Sequence, residues 1–513
     1  MKRRSRSGRA APQDWVGAER RFLQIRFPRQ PQAVIFFPAP YPAAIANLGF
    51  LTIWERLNAA PGFSCDRAVW DPQAEAVPRG LQTGLPLSAF PLIFISSSFE
   101  LDLVSLVDAL LAAGIEPNAV RRGQSGPLIV AGGITLTLNP APWAPFIDLA
   151  ILGEGERAAL DWLQIYLNWR AARGTKKELI EQSAGLPFIW APTVPDRDVI
   201  PAEYLNYPDD PACSSAVHPR AHFGDCWLVE ISRGCPRDCR FCAVCRAYRP
   251  RFGREAAILR KMEESGALSA PKVGLVGAAA GDYPNLKRLI KRIVETRREI
   301  TISSLRIERT DEELLSLLAS GGFRTLTVAP EAGGEKLRRT LGKKSSDDDL
   351  VRLVQAAGRA GLRKVRLYFL IGLPDPEPPE AIIHLVQLLR REASSSLKLD
   401  LSVSSFVPKP GMPWERADFA PTNDLNEVKR ALSSAVGRMP GVSVRFESTR
   451  RERLAALLSR GDHRLGQALL DARRSARPLE QQLRLSGADP DDLLRPSGPM
   501  VHLPWHFIRR SLR

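Results

Sequence analysis

Twice along this chain, short apolar runs alternate with segments of helical spacing, and that repetition restricts the fold more than any other feature of the sequence. In the first set, QAVIFFP (32–38), PLIFISSS (91–98), PLIVAGG (127–133) and FIDLAILGEGE (146–156) read as strands, the last running into a helix start. LGFLTIWERLN (48–58) and ELDLVSLVDALLAAG (100–114) have helical spacing, and the second stops at Gly114. Strands apolar along their whole length are buried on both faces, which predicts a parallel, doubly wound α/β sheet over residues 21–165. The second set opens at CWLVEIS (226–232) and continues through KVGLV, TISSLRI, RTLTVAP, KVRLYFLIG and LDLSVSSFVP. Helical segments lie between them, several opening on Asp, Ser or Asn and closing on Gly. This pattern predicts a partial (β/α)6 barrel over 221–440. Residues 166–220 are rich in proline and lack sustained periodicity, as in a linker packed over a surface. Residues 1–20 read as a basic disordered arm, and 441–513 as a mostly helical, charged region.

A length of 513 residues calls for two or three domains, and 44% hydrophobic with 25% charged residues is a soluble globular composition. The longest apolar runs are short and broken by proline, so no membrane partner is expected. MKRRSRSGRAAPQDW lacks the apolar stretch that follows the charges of a secretory signal, and a cytoplasmic location is expected. The formal net charge of +16 attracts polyanions. The basic residues are scattered, however, and no nucleic-acid motif accompanies them, so a nucleic-acid partner is not favoured.

Five of the seven cysteines fall between 226 and 245. An odd, clustered set is not a disulfide framework and points to metal or redox chemistry. Cys235, Cys239 and Cys242 lie in EISRGCPRDCRFCAVCRAYRPRFGRE, directly after the first strand of the second set. Active sites of parallel barrels lie at the C-terminal ends of the strands, so this loop is placed for catalysis. Cysteines three and two residues apart can converge on one centre, and thiolates are the ligands of iron–sulfur clusters. Zinc sites prefer four ligands. Cys245 could complete such a set, remain a free thiol, or face the substrate.

The C-x3-C-x2-C spacing, with Phe241 before the third cysteine, resembles the radical S-adenosylmethionine (SAM) superfamily. PLIVAGGITLTLNPAPWAPFIDLAILGEGE, YRPR, SSLRIE, TVAPEAGGEKLRRTLGK, LYFLIGLP, SRGDHRLGQAL and LPWHFI together resemble a subgroup with an N-terminal cobalamin-binding-like domain. The resemblance implies a [4Fe-4S] cluster on Cys235, Cys239 and Cys242, with one open iron for SAM. It implies reductive cleavage of SAM to a 5′-deoxyadenosyl radical, and methylation or rearrangement at an unactivated carbon of an unidentified substrate. An electron donor such as flavodoxin or ferredoxin would be needed. Phe241 would lie near the SAM adenine, and Ser304, Arg306, Glu331 and Gly372 (of GLP) would supply further SAM contacts. Where many relatives have Gly-Gly-Glu after the second strand, this chain has VGAAAGDY (276–283), in which Asp282 could replace the acid.

In doubly wound sheets, ligands bind beyond the carboxyl ends of the strands. Ser96, Ser97, Ser98, Gly132, Gly133 and GEGE (153–156) occupy those ends and are the candidate cobalamin contacts. No histidine precedes His218, so the domain cannot supply the Asp-x-His-x-x-Gly imidazole that many cobalamin proteins place on cobalt. Either cobalamin binds without a protein imidazole, or the domain has lost it. Two other readings stay open: radical modification of tRNA or rRNA, and a non-catalytic metal-binding scaffold. Cys65 is the only cysteine of the first domain, which disfavours a methylthiotransferase with a second cluster there.

Overall fold

The computed structural model describes residues 15–22, 28, 30–73, 76–194, 197–264, 267–495 and 503–509. The first α/β unit is a six-stranded sheet. In chain order its strands are β1 (Ala33–Phe37), β2 (Cys65–Val69), β3 (Leu92–Ser97), β4 (Leu128–Gly133), β5 (Leu149–Ile151) and β6 (Ile189–Trp190). Their spatial order is 2-1-3-4-5-6, with β1 to β5 parallel and β6 antiparallel. Every residue of β1 is buried, as its uninterrupted apolar run predicts. Every residue of β2 is buried too, although CDRAV carries Asp66 and Arg67 and so does not read as a strand in the sequence. The chain leaves β1 for one neighbour and returns to its other side as β3, which creates a topological switch point between those two strands.

The second unit holds seven parallel strands. They are β7 (Cys226–Arg233), β8 (Lys272–Gly277), β9 (Glu299–Ile302), β10 (Thr325–Glu331), β11 (Lys364–Ile371), β12 (Lys398–Ser405) and β13 (Val442–Phe446). Ladders join β7-β8-β9 and β10-β11-β12-β13, and Leu305 N–H donates to Thr327 O (3.0 Å) where the two meet. Among the described residues β7 and β13 do not pair, so the barrel is open. Along β11, Val365, Leu367, Phe369 and Ile371 are buried towards the helices, while Arg366, Tyr368 and Leu370 are more exposed on the concave side.

Four boundaries differ from the sequence reading. Residues 1–14 lie outside the described residues, but ordered chain begins before residue 20. Val16 is buried, Glu19 pairs with buried Arg67 (2.7 Å), and Arg20–Arg21 pairs with Ala216–Val217. The first unit runs past 165, because helix Gly155–Ala172 continues and β6 closes its sheet. The end of the proline-rich stretch is not a surface linker: residues 211–218 are buried, and Ser214 N–H donates to Leu228 O (2.9 Å) alongside β7. A proline-rich run can still be threaded as core when its remaining amides find strand partners. Finally, 441–513 opens with a strand. VSVRF alternates valine and phenylalanine with serine and arginine on a half-exposed edge, so it lacks the apolar run of the other barrel strands.

Helix His463–Ser475 then crosses back onto the first unit. Arg473 pairs with Asp108 (2.6 Å) and Arg474 with Glu116 (2.8 Å), while Asn139 Nδ2 donates to Ser459 O (3.1 Å) and Gly461 O (2.8 Å). Trp505 and Ile508 are buried in the same core, and Trp505 Nε1 donates to Glu415 in the barrel (3.1 Å). SRGDHRLGQAL and LPWHFI are thus a clasp that holds the two units face to face. Among the described residues no helix is long and apolar enough to cross a membrane.

Candidate active site and cofactor cavity

The cysteine loop leaves β7 through Gly234, whose φ is +66°. A Cβ there would stand 2.5 Å from Tyr248 O and 2.7 Å from Arg249 O, so only glycine lets the loop double back on itself. Cys242 N–H then donates to Cys239 O (3.1 Å), and the Cys245 thiol donates to Cys242 O (3.1 Å). Cys235, Cys239 and Cys242 are partly exposed, whereas Cys245 is buried. Its thiol braces the loop from beneath, and none of the seven cysteines is in a disulfide. Burial pushes the Cys239 thiol up to about 11, with Cys242 and Cys235 nearby adding to the rise and Lys343 opposing it. Burial also raises Cys242, and Cys235 adds to it. Thiols held up in this way need cationic charge beside them to bind as thiolates, and a [4Fe-4S] cluster supplies it. The donor set fits that group, although among the described residues no three His, Cys, Asp or Glu side chains are grouped as ligands for a single metal ion.

Glu331 ends β10 on the concave side with φ +70°, a conformation few residues other than glycine adopt. It is buried, accepts from Lys343 (3.1 Å), and burial raises its pKa despite that partner. The Lys343 Nζ lies 5.6 Å from the Phe241 ring centroid, which ties Glu331, Phe241 and the cysteine loop together. Phe241 also packs against an apolar plug that includes Leu341, Leu373, Phe406 and Met412. Lys343 escaped the sequence reading, although it is the last residue of TVAPEAGGEKLRRTLGK.

Arg306 and Ser304 lie beyond the end of β9, and Ser304 is exposed. Arg306 reaches Asp282 (3.3 Å), which also holds Arg237 of the cysteine loop (2.9 Å) and Arg309 (3.5 Å). Burial alone would raise the Asp282 carboxyl, but Arg237 and Arg306 outweigh it and hold it low. Asp282 is therefore engaged by three guanidinium groups and, through Arg237, braces the loop. Gly372, at φ +70°, faces the other way. A Cβ there would meet Leu425 (2.6 Å) and Ala420 (2.8 Å), and Gly372 lines a separate cavity of about 420 Å³ with Pro374 and Glu377.

The larger cavity, about 460 Å³, lies between the two units. Asn47, Ser96, Gly132, Gly133 and Glu154 line it from the first sheet, and Ser232, Gly234, Val244, Tyr248 and Gly277 from the barrel. It opens at the β1/β3 switch point and reaches the start of the cysteine loop. Ser97 does not line it. Its buried hydroxyl shares a hydrogen bond with Thr135 (2.6 Å) and donates to Asp102 (3.2 Å), since the pleat turns it into the sheet. Ser98 is not a lining residue either: its Oγ accepts from Asn47 Nδ2 (3.0 Å). Gly133, at φ +114°, would clash with Ser97 O at 2.1 Å if it carried a Cβ. Among the described residues no histidine lines this cavity. His218 is buried between Trp15 and Tyr41, with Nδ1 accepting from Arg220 N–H (2.9 Å).

One wall is ionic. Arg233, two residues before Cys235, pairs with Glu156 (2.6 Å), Glu230 (2.6 Å) and Glu154 (3.4 Å), and Arg251 also pairs with Glu154. Tyr207 lies under both guanidinium groups. GEGE thus grips the root of the cysteine loop across the domain boundary. The sequence reading named GEGE but not its partners, which are over seventy residues away.

A family model described as the radical SAM superfamily matches residues 229–389, and one described as radical SAM proteins, N-terminal, matches residues 49–192. The chain carries a radical SAM domain. Among its relatives, an uncharacterised protein of Methanocaldococcus jannaschii is 29% identical over 385 residues, 74% of this chain and 80% of that protein. An uncharacterised methyltransferase of Pyrococcus horikoshii is 26% identical over 351 residues, 63% of this chain and 71% of that protein. The radical SAM methyltransferase TsrM of Kitasatospora setae, solved with tryptophan substrate and a SAM analogue, superposes with a TM-score of 0.52 at 15% identity. That superposition covers 76% of this chain and 77% of that one. The cobalamin-dependent SAM radical enzyme OxsB, with aqua-cobalamin and SAM bound, gives 0.51 at 14% identity, over 86% and 67%. At these identities the likeness is one of fold: this radical SAM chain shares a doubly wound sheet followed by a partial barrel.

Proposed function

We propose that this chain is a cobalamin-dependent radical SAM methyltransferase acting on an unactivated carbon. The observation that carries this reading is the interdomain cavity, which one ligand would share between the strand ends of a doubly wound sheet and the root of a three-cysteine loop. The methyltransferase names of the Pyrococcus relative and of TsrM support the same direction. When bound, the cluster supplies the electron that splits a sulfonium carbon–sulfur bond, and the corrin supplies a methyl carrier.

The chain's own residues do the positioning. Gly132 and Gly133 let backbone approach a flat macrocycle, and Asn47, held to Ser98, presents its side chain at the switch point. Arg233, clamped by Glu154 and Glu156, fixes the spacing between the cavity and the cysteines. Glu331 and Lys343 stand where they would engage polar groups of a SAM molecule on the concave side.

Anaerobic incubation of the reconstituted protein with cobalamin, SAM and a reductant tests this. S-adenosylhomocysteine and 5′-deoxyadenosine are both expected. 5′-Deoxyadenosine alone would favour rearrangement over methylation. Neither product, with a full cluster present, would sink the reading.

A further inference from the structure

We propose that the outer surface over the cysteine loop is the docking site of an acidic one-electron carrier protein. The inference rests on the cysteines holding a [4Fe-4S] cluster, and is independent of whether cobalamin binds. Helix Glu335–Thr340 and the turn after it form the outer cover of the loop: Arg240 N–H donates to Leu341 O (3.4 Å). Gly342, at φ +86°, packs so closely that a Cβ would stand 3.3 Å from Cys239 Cα. The protein between a ligand cysteine and solvent is here one turn thick.

That cover is strongly basic. Residues 336–344, KLRRTLGKK, hold five cations and no acid. Two of the five turn inward: Arg338 is buried and pairs with Asp347, and Lys343 reaches Glu331. Lys336, Arg339 and Lys344 remain exposed, beside exposed Arg240 of the cysteine loop. Among the described residues no carboxylate forms an ion pair with the side chain of Lys336, Lys344 or Arg240, and the one carboxylate at Lys344, Glu308, accepts from its backbone N–H (3.2 Å). Arg339 has only its i–4 neighbour Glu335 (3.1 Å), an exposed pair that neutralises little. The one acid within the cysteine loop, Asp238, is matched by Arg246 (2.9 Å).

A compact group of uncompensated cations steers a partner of opposite charge and sets its orientation. Nucleic acid is the weaker occupant. A strand-binding surface is a basic groove with aromatic platforms, whereas these cations lie on one short helix, the turn after it and the cysteine loop. Electron transfer weakens steeply with distance, so the thinnest cover over a ligand cysteine is where a carrier gains most by docking. At this contact the carrier is oxidised by one electron and the cluster reduced by one. No proton or group moves with it.

The test compares wild type with Lys336→Glu/Arg339→Glu/Lys344→Glu, each carrying its cluster, under two reductants. One is a reduced acidic flavodoxin, and the other photoreduced deazariboflavin, which carries no charge. The flavodoxin-driven rate of cluster reduction should fall by about ten-fold or more at low ionic strength. Added salt should slow the wild type and leave the variant little changed. Reduction by deazariboflavin, and the 5′-deoxyadenosine it yields, should be equal in both. Equal flavodoxin-driven rates would overturn the proposal. So would lost RNA retention with undiminished flavodoxin-driven reduction, which would give the surface to RNA. Failure of the cluster reading is distinguishable, because deazariboflavin would then reduce no cluster in either protein.

Discussion

The two α/β units use parallel strands in opposite ways. In β1 and β2 every residue is buried, so the first sheet has no free face and can meet a ligand only at its strand ends. In β10 and β11 burial alternates, so one side packs on helices while the other opens into the barrel. The lesson is that a sheet covered on both faces offers an edge of loops, while a curved sheet covered on one offers an interior. Here the edge of the first is set against the opening of the second, and the cysteine loop lies at that junction.

The largest expected effect falls on the loop. Replacing Cys235, Cys239 or Cys242 with Ala should abolish a [4Fe-4S] centre, measured by iron and sulfide content, while Cys245→Ala should retain it with some loss of stability. Retention in any of the first three, or complete loss in the fourth, would break the assignment.

The two sides of β11 should respond unequally. Leu367→Ala removes a buried side chain and should cost about 3 kcal/mol. Tyr368→Ala, on the concave side and 37% exposed, should cost about 1 kcal/mol or less, as surface changes generally do. Equal losses in chemical denaturation would refute the one-sided barrel. In the first unit, Gly133→Ala forces a Cβ against Ser97 O and should cost about 2–3 kcal/mol while weakening cobalamin binding. Unchanged binding would move the corrin away from the strand ends.

The smallest expected effect concerns the tie between the units at Asp210, which pairs with Arg56 of the first and with Lys261 of the second (2.7 Å). Burial would raise this carboxyl, but Lys261, Tyr204 and Arg56 together bring it down to about 2. A folded-state pKa below the unfolded one stabilises above the unfolded value. Screened by solvent at this partly exposed site, that contribution, under about 1 kcal/mol, is therefore lost as pH falls from about 4 to 2. Asp210→Asn should flatten that part of the stability profile. An unaltered profile would show that the tie contributes nothing.

Local signals made much of this legible. Most strands of both units, the cysteine loop and the strand-end glycines follow from periodicity and spacing, and Gly132, Gly133 and Ser96 do line the cavity. The strand β2, with its Asp66 and Arg67, and the two-residue β6 do not follow in this way. What stayed hidden depended on contacts distant in sequence. Ser97 looked equivalent to Ser96 until the pleat turned it towards Asp102. Asp282 looked available until Arg237, Arg306 and Arg309 converged on it. The strand VSVRF carries too few apolar residues to read as core, and SRGDHRLGQAL is a clasp only because its partners, Asn139 and Asn118, lie over 300 residues earlier.

The central claim is that the interdomain cavity holds cobalamin with no imidazole from this chain. The electron paramagnetic resonance spectrum of bound Co(II) cobalamin tests it most directly. No histidine precedes His218 in the chain, and His218 is packed between Trp15 and Tyr41. A base-off spectrum without nitrogen superhyperfine splitting is the expected result. A resolved nitrogen pattern would contradict the account by placing His218, His222 or the cofactor's own base on cobalt, and no binding at micromolar cobalamin would contradict it outright.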